Sequence, residues 1–330
     1  MSIERTLLNI YLPALERSIT GDILSMIRFM PELDTQLKII GVDVYEITPA
    51  LSREFCKTLP RRMRGEDKEI QNRFKEMLTS ETNYDKKKYN FKRLFNLIIE
   101  GENAVAMVNQ IVGDVRIRNG ISIMGRYGFC KQSTMGEILY VEFPVSAPSS
   151  SQEAEAQIDL LWNKYKSLGG PLKKSIVYPE DKKDKVDYSV VIIKPNVFNN
   201  PHDPRVGNVI NAISRAGMSI IGAKILNFSQ TQAEEFYAHH KDKGFFGELV
   251  NFMSGKKCLA LLYEGINAIE EIRETAMTVI RGSYTDSKTE NTIHTTEDKA
   301  DFEKEYRIVN FEDNQLPKEL NITQVATYLA

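Results

Sequence analysis

The chain has 330 residues, 42% hydrophobic and 27% charged, the proportions of a soluble globular protein long enough for two ordinary cores. A net charge near −2 gives no electrostatic reason to expect general nucleic-acid or anionic-membrane binding, and no run of 18 apolar residues is present to span a bilayer. The N-terminal stretch lacks the pattern of a secretory or transit leader, and Cys56, Cys130 and Cys258 form no CxxC pair, which argues against a zinc cluster and suits a reducing cytoplasmic compartment.

In chain order, residues 1–145 and 188–309 read as two copies of one unit. "TGDIL" (20–24) lies over "VGNVI" (206–210), and "LKIIGVDVYEITPALSREFC" (37–56) over "MSIIGAKILNFSQTQAEEFY" (218–237) without a gap. "LIIEGENAV" (97–105) matches "LLYEGINAI" (261–269), and "IMGRYG" (123–128) matches "IRGSYT" (280–285). Between Cys56 and Phe95 the first copy carries a charged insertion that includes Arg61, Arg62, Arg64 and Lys86 to Lys88. Residues 146–187 are expected to be a linker: "SAPSSSQEAEAQ" leaves the first copy, "AQIDLLWNKYKSLGG" is helical up to its glycine pair, and a charged connector follows.

In the second copy "YSVVIIK" predicts a strand bounded by Pro195 and Asn196, and Val206, Val209, Ile210 and Ile213 predict a helix that stops at Gly217. "SIIGAKIL" predicts a strand, and Ser229 with Gln232 a capping box opening the next helix. "CLALLYEG" reads as a buried strand, and "NAIEEIRETA" as a helix with Ile269 and Ile272 on one face. Residues 310–330 read as a tail. Helices alternating with strands that can pair antiparallel point to a split βαβ, ferredoxin-like α+β core in each copy.

Five motifs of the second copy occur in a telling order: "IIKP" at the end of its first strand, "FYAHHKDKGFFGELVNFM", "YEGINA", "IRG", and the N-x-x-H of "ENTIHTTED". Together they resemble the nucleoside diphosphate kinase family, from about Tyr188 to Tyr306, with Arg281 and His294 at the family's separation. The first copy resembles a degenerate version of the same domain, and the tandem is similar to the two-domain ciliary homologues. The resemblance implies two ferredoxin-like (βαββαβ-type) domains and ping-pong phosphoryl transfer from ATP to nucleoside diphosphates. Such transfer needs positioning and positive electrostatics around a charge-spread transition state.

The resemblance also implies roles for single residues. His294 is the nucleophile, with Glu305 fixing its other ring nitrogen and Thr296 bonding Glu305. Lys194 and Tyr237 converge on the transferring phosphoryl group, and Arg273 and Arg281 hold the phosphates. Asn291 meets the ribose hydroxyls, while Phe245, with Leu249 beside it, gives a base-tolerant stacking face. Mg²⁺ arrives with the nucleotide phosphates and needs no protein cage.

Three features depart from the family. Its Lys-Pro-Asp-Gly-Val turn is here Lys194-Pro-Asn-Val-Phe198, and the Gly-Ser-Asp after the nucleophile is Thr295-Thr296-Glu297. The loop between Arg273 and Arg281 is also shortened, leaving no threonine for the phosphates. The first copy departs further, because residues 1–201 contain no histidine. Tyr11 or Leu12 falls opposite Lys194, Cys56 opposite Tyr237, Asn109 opposite Arg273 and Met124 opposite Arg281; Thr134 and Glu137 fall opposite Asn291 and His294.

His239 and His240 read as cations at a helix end rather than as a metal pair, since adjacent histidines on a helix diverge; His202 reads as a loop residue. Two functions stay open. One is a nucleoside diphosphate kinase working through His294, with a catalytically dead first copy. The other is a structural component of a cytoskeletal assembly such as the ciliary axoneme, with microtubule or axonemal partners. In either case the two copies are expected to pack on each other as subunits of an oligomer would.

Overall fold

The computed structural model describes residues 3–28, 37–59, 68–79, 93–165, 178–200, 203–281 and 291–316, Arg281 by its backbone alone. Arg61, Arg62, Arg64, Lys86 to Lys88 and His202 lie outside the described residues.

The first sheet contains β1 (Ile3–Tyr11), β2 (Lys38–Glu46), β3 (Arg93–Glu102) and β6 (Val145–Ser146) in the order β2-β3-β1-β6. A separate ribbon pairs β4 (Phe129–Gln132) with β5 (Ile138–Glu142). The second sheet contains β7 (Val186–Ile193), β8 (Ser219–Asn227), β9 (Lys257–Ile266) and β10 (Ile293–Thr295) in the order β8-β9-β7-β10. All strand pairs in both sheets are antiparallel, so the two sheets repeat one topology and the expected α+β class holds. The central strands are nearly continuous apolar runs because both faces are covered: in the second sheet helical residues such as Val209 and Ile272 pack on one face and Phe236, Val250 and Ile308 on the other, and β9 is buried from Cys258 to Gly265.

Local chemistry explains the repeat beyond its identities. Both copies bulge one edge strand at the same place, between Ile39 and Gly41 and between Ile220 and Gly222. Both enter the helix after the central strand through a left-handed asparagine, Asn103 and Asn267, each at φ 50°. Each of those helices, α5 (Ala104–Val112) and α12 (Ala268–Thr275), then receives a carboxylate at its amino end. Val105 N donates to Glu4 at 3.3 Å, and Ile269 N donates to Asp187 at 3.1 Å.

The segment from Ser146 onward does not behave as a linker. Ser146 belongs to β6, paired with Asn9 of β1, and α7 (Ser151–Ile158) packs on that strand. The helix continues as a wide turn over Asp159–Lys164, burying Leu161 and Trp162, and Trp162 Nε1 donates to Asn96 Oδ1 at 2.8 Å. The boundary after residue 145 thus cuts a strand, and the first unit runs to at least Tyr165. The expected boundary at 309 is similarly too early: Phe311 is buried, and Asn314 donates to Val42 O and Ala223 O, one acceptor in each sheet.

The two units meet twin against twin, the pattern of a two-fold interface. Strand β2 lies along β8, and α2 (Thr20–Arg28) crosses α9 (Arg205–Arg215). The crossing is glycine on glycine: a Cβ on Gly21 would lie 2.0 Å from Gly207 O, and one on Gly207 2.4 Å from Gly21 O. Beside it Gly21 N donates to Asn211 Oδ1, and Asn211 Nδ2 donates to Asp22, at 2.9 and 2.7 Å. One apolar core runs through this seam, holding Ile23 and Leu24 together with Val209 and Ile210; a smaller core, including Phe236 and Val250, fills the other face of the second sheet. Replacing Gly207 with alanine forces the helices apart and should cost about 1–3 kcal/mol. A lowered urea midpoint is the expected result; an unchanged midpoint would show that the crossing yields more readily than its geometry implies.

Candidate active site

In the second unit one end of the sheet carries a cleft of about 230 Å³, whose lining includes Lys194, Tyr237, Phe245, Leu249, Arg273, Asn291, His294 and Glu297. Short local devices aim these side chains. Lys194 follows the last residue of β7 and caps α8 (Pro195–Phe198), its amide bonded to Thr292 O at 3.1 Å. Strand β10 runs antiparallel to β7, and this register sets His294 beside Ile192. Tyr237 closes α10 (Gln230–Phe236), which opens on the Ser229–Gln232 capping box. Phe245 caps α11 (Phe246–Met253) and is 39% exposed, whereas Leu249 is buried in the same helix.

His294 is 7% exposed, and its imidazole is wedged edge-on between Phe236 and Tyr237, with centroids 4.9 and 5.6 Å away. Its Nε2 bonds Glu305 Oε1 at 2.6 Å. Glu305, on α13 (Lys299–Val309), is fully buried, and its other oxygen accepts the Thr296 hydroxyl at 2.6 Å. Thr296 Oγ1 in turn accepts from Val190 N at 2.9 Å, which ties the cluster to β7. With the Glu305 carboxylate accepting, the Nε2 position carries the proton and Nδ1 keeps its lone pair.

Arg273 reaches the cleft from α12 and pairs with Glu297 at 3.0 Å, both side chains near half exposure. Burial alone would raise the Glu297 carboxyl, but the Arg273 guanidinium beside it outweighs this and holds it below the ordinary carboxylate value. Where a shortened loop was expected, the chain from Ala276 to Arg281 continues as a wide helical turn that brings Met277 to the cleft wall. The Arg281 side chain lies outside the described residues.

The family model for nucleoside diphosphate kinase matches residues 187–316. The nucleoside diphosphate kinase of Chlorobium chlorochromatii is 36% identical over 118 residues, 33% of this chain and 82% of the bacterial protein. That of Thermosipho africanus is 31% identical over 140 residues, 40% of this chain and 92% of its own. The chain belongs to the nucleoside diphosphate kinase family. Among solved structures, the Halobacterium salinarum enzyme in complex with CDP is 26% identical, with 43% of this chain and 98% of that one covered at a TM-score of 0.35. Family membership supports a nucleoside-diphosphate-kinase-like function for the matched region, and no helix among the described residues is long and apolar enough to cross a membrane.

The first unit holds a cavity at the position that corresponds to the cleft of the second. Tyr11 N bonds Pro144 O as Lys194 N bonds Thr292 O, and Asn9 faces Ser146 as Ile192 faces His294. Tyr11, not Leu12, is therefore the counterpart of Lys194. Ser146 and Phe143, not Glu137 and Thr134, are the counterparts of His294 and Asn291. Counting forward from Met124 fails because the β4–β5 ribbon occupies the counted positions. Gln157 stands as far beyond Ser146 as Glu305 does beyond His294, and it bonds Asn9 and Glu153. This cavity, about 690 Å³, is lined by Asn109, Phe143, Val145, Ser146 and others, with no lysine, arginine or histidine among its described lining residues. Its polar groups satisfy one another: Ser146 bonds Tyr11 at 2.7 Å, and Asn109 bonds the Val105 and Pro148 carbonyls.

His239 and His240 lie on the cleft wall of the second unit, which the helix-end reading did not foresee. Helix α10 ends at Phe236, and the tighter turn Ala238–His240 brings the two rings within 3.9 Å instead of letting them diverge. Their nearness to Tyr237 in sequence was the available signal. Burial pushes both imidazoles below the ordinary 6.5, aided by Lys304 for His239 and by His239 for His240, so they are neutral at pH 7 and contribute no helix-end charge.

Two outcomes follow for this cluster. Thr296→Val keeps the shape but leaves Glu305 Oε2 and Val190 N without the hydroxyl. It should cost about 1–3 kcal/mol in a denaturant titration, and a variant as stable as the parent would refute the bond's importance. The lowered His239 and His240 values mean that the unfolded chain binds more protons between each folded value and 6.5. Their contribution to stability should therefore rise with pH through that window. NMR titration of the two rings is the check: midpoints at 6.5 would remove the effect and midpoints above it would reverse the sign.

Proposed function

We propose that the second unit is a nucleoside diphosphate kinase that carries the phosphoryl group on His294, and that the first unit is non-catalytic. The observation that carries this reading is the buried Thr296–Glu305–His294 chain, which fixes the imidazole at the floor of a cleft shared with Lys194, Tyr237 and Arg273. In the first half-reaction Nδ1 attacks the γ-phosphorus, the N–P bond forms, and the bond to the bridging oxygen breaks to release ADP. In the second, a terminal oxygen of a nucleoside diphosphate attacks the phosphohistidine and the N–P bond breaks, returning the neutral ring. Glu305 holds the Nε2 proton throughout and stabilises the positive charge that the ring gains during transfer.

Lys194, buried to 4% exposure, would neutralise charge on the transferring group, and Tyr237 would bond it. Arg273 and Arg281 would hold the remaining phosphates, Arg273 exchanging Glu297 for a phosphate oxygen. Asn291 would take the ribose, and the base would lie on the exposed face of Phe245 above Leu249. Mg²⁺ supplies charge neutralisation on the phosphate oxygens when bound. Among the described lining residues the carboxylate is Glu297, already facing Arg273, which fits a metal held by the nucleotide rather than by a protein cage. The cation-free cavity of the first unit supports one nucleotide site per chain.

The test is to mix the full chain with γ-labelled ATP and Mg²⁺ and look for acid-labile, alkali-stable label that a nucleoside diphosphate discharges. His294→Ala should abolish it, Lys194→Ala should slow it roughly a hundredfold, and calorimetry should count one ADP per chain. A parent protein that labels no better than His294→Ala ends the proposal.

A further inference from the structure

The first unit reaches across the seam into the turn that carries Lys194. Arg28, the last residue of α2, points its Nη2 at three carbonyls of the second unit: Val197 at 3.4 Å, Phe198 at 3.2 Å, and Asn200. Its guanidinium carbon also sits 5.7 Å from the centre of the Phe198 ring. Burial lowers the guanidinium to about 10, with nearby Asp203 pulling the other way, so it stays a cation at neutral pH. With Gly21 set against Gly207, the equivalent position in α9 is Ser214, so the contact has no reciprocal partner.

Those carbonyls form the far end of the short α8 turn that begins at Lys194. The amides of Val197 and Phe198 both donate to Lys194 O, and Lys194 N is bonded to Thr292 O. The turn is therefore tied at its start to the chain entering β10 and at its end to a cation from the other unit. The half-buried Arg28 collects these carbonyls through one guanidinium nitrogen, Nη2, whose charge suits it to a site where several carbonyl oxygens converge.

We propose that Arg28 is a positioning residue for Lys194, so that the non-catalytic unit sets the geometry of the catalytic one. The consequence for turnover rests on the phosphotransferase reading, since a lysine displaced by about 1 Å can slow a transfer by up to a hundredfold.

The experiment compares Arg28→Met, Arg28→Lys and Asn211→Ala in the full chain. The last loosens the same seam at Gly21 and Asp22 without touching α8. Two readouts are taken: the rate of labelling of the chain by γ-labelled ATP as ATP is varied, and hydrogen exchange of the Phe198 and Asn199 amides, with β9 amides as the folding control. Arg28→Met should lower the maximal labelling rate roughly tenfold with little change in half-saturating ATP. It should also speed exchange at Phe198 and Asn199 while β9 stays protected. Arg28→Lys should recover part of both effects, and Asn211→Ala should show neither. Should Arg28→Met fail to fold, Arg28→Lys against Asn211→Ala gives the same comparison.

Labelling by Arg28→Met at the parent rate, or equal slowing by Asn211→Ala, overturns the proposal. If the parent itself does not label, the phosphotransferase reading falls and exchange alone decides. Protection lost only in the Arg28 variants then upholds the brace, and protection kept refutes it.

Discussion

Two glycines in backbone contact set the terms for the rest of this molecule. Where α2 crosses α9, Gly21 and Gly207 leave no space for a Cβ on either side, so the helices approach as closely as their main chains allow. That approach brings β2 alongside β8 and merges the apolar surfaces of the two units into one core. It also lets single side chains span the seam. Asn314 bonds a carbonyl of each sheet, Arg93 Nη1 donates to Ile220 O at 2.9 Å, and Arg28 gathers the carbonyls at the far end of α8. A wider crossing would put each of these beyond hydrogen-bond reach.

The second constraint is a carboxylate without solvent. Burying an ionisable group is tolerable only when its oxygens are satisfied. Glu305 meets this with the His294 ring on one oxygen and the Thr296 hydroxyl on the other. The first unit puts an amide at the same corner: Gln157 accepts from Asn9 and donates to the buried Glu153, whose other oxygen is held by Ser149, and Ser146 faces Tyr11. Without an imidazole to orient, a carboxylate there would be an unpaired charge, and an amide completes the network instead. The two corners differ in chemistry more than in shape, and the same backbone register serves both.

Much of this was legible from the sequence because strands and helix faces carry their periodicity locally. The repeated blocks fall on β2, β3, β8, β9 and the helices after them, where apolar runs and the Asn103 and Asn267 caps recur. The catalytic candidates were legible as motifs, and the cleft gathers Lys194, Tyr237, Arg273, Asn291 and His294 from elements spread over a hundred residues. What was hidden lay in short or irregular pieces. Strand β6 has two residues, too few for any alternation, so its pairing with β1 is a tertiary fact and the counterpart of His294 was misassigned. The two-histidine wall depended on a helix tightening at its last turn, and the helical run through Ala276–Arg281 on a wide turn that composition does not announce. Trp162 and Asn314 looked like linker and tail because nothing in their neighbourhood says that a sheet lies within reach.

The seam has a meaning in terms of concentration. Two separate chains joined through such a glycine crossing would come apart on dilution, and any side chain reaching across would be lost with the partner. Here the crossing closes within one chain, so the partner is present at an effective concentration fixed by the connecting segment. A contact such as Arg28 on the α8 turn is then as permanent as any bond inside a single core, however few copies of the protein a cell contains.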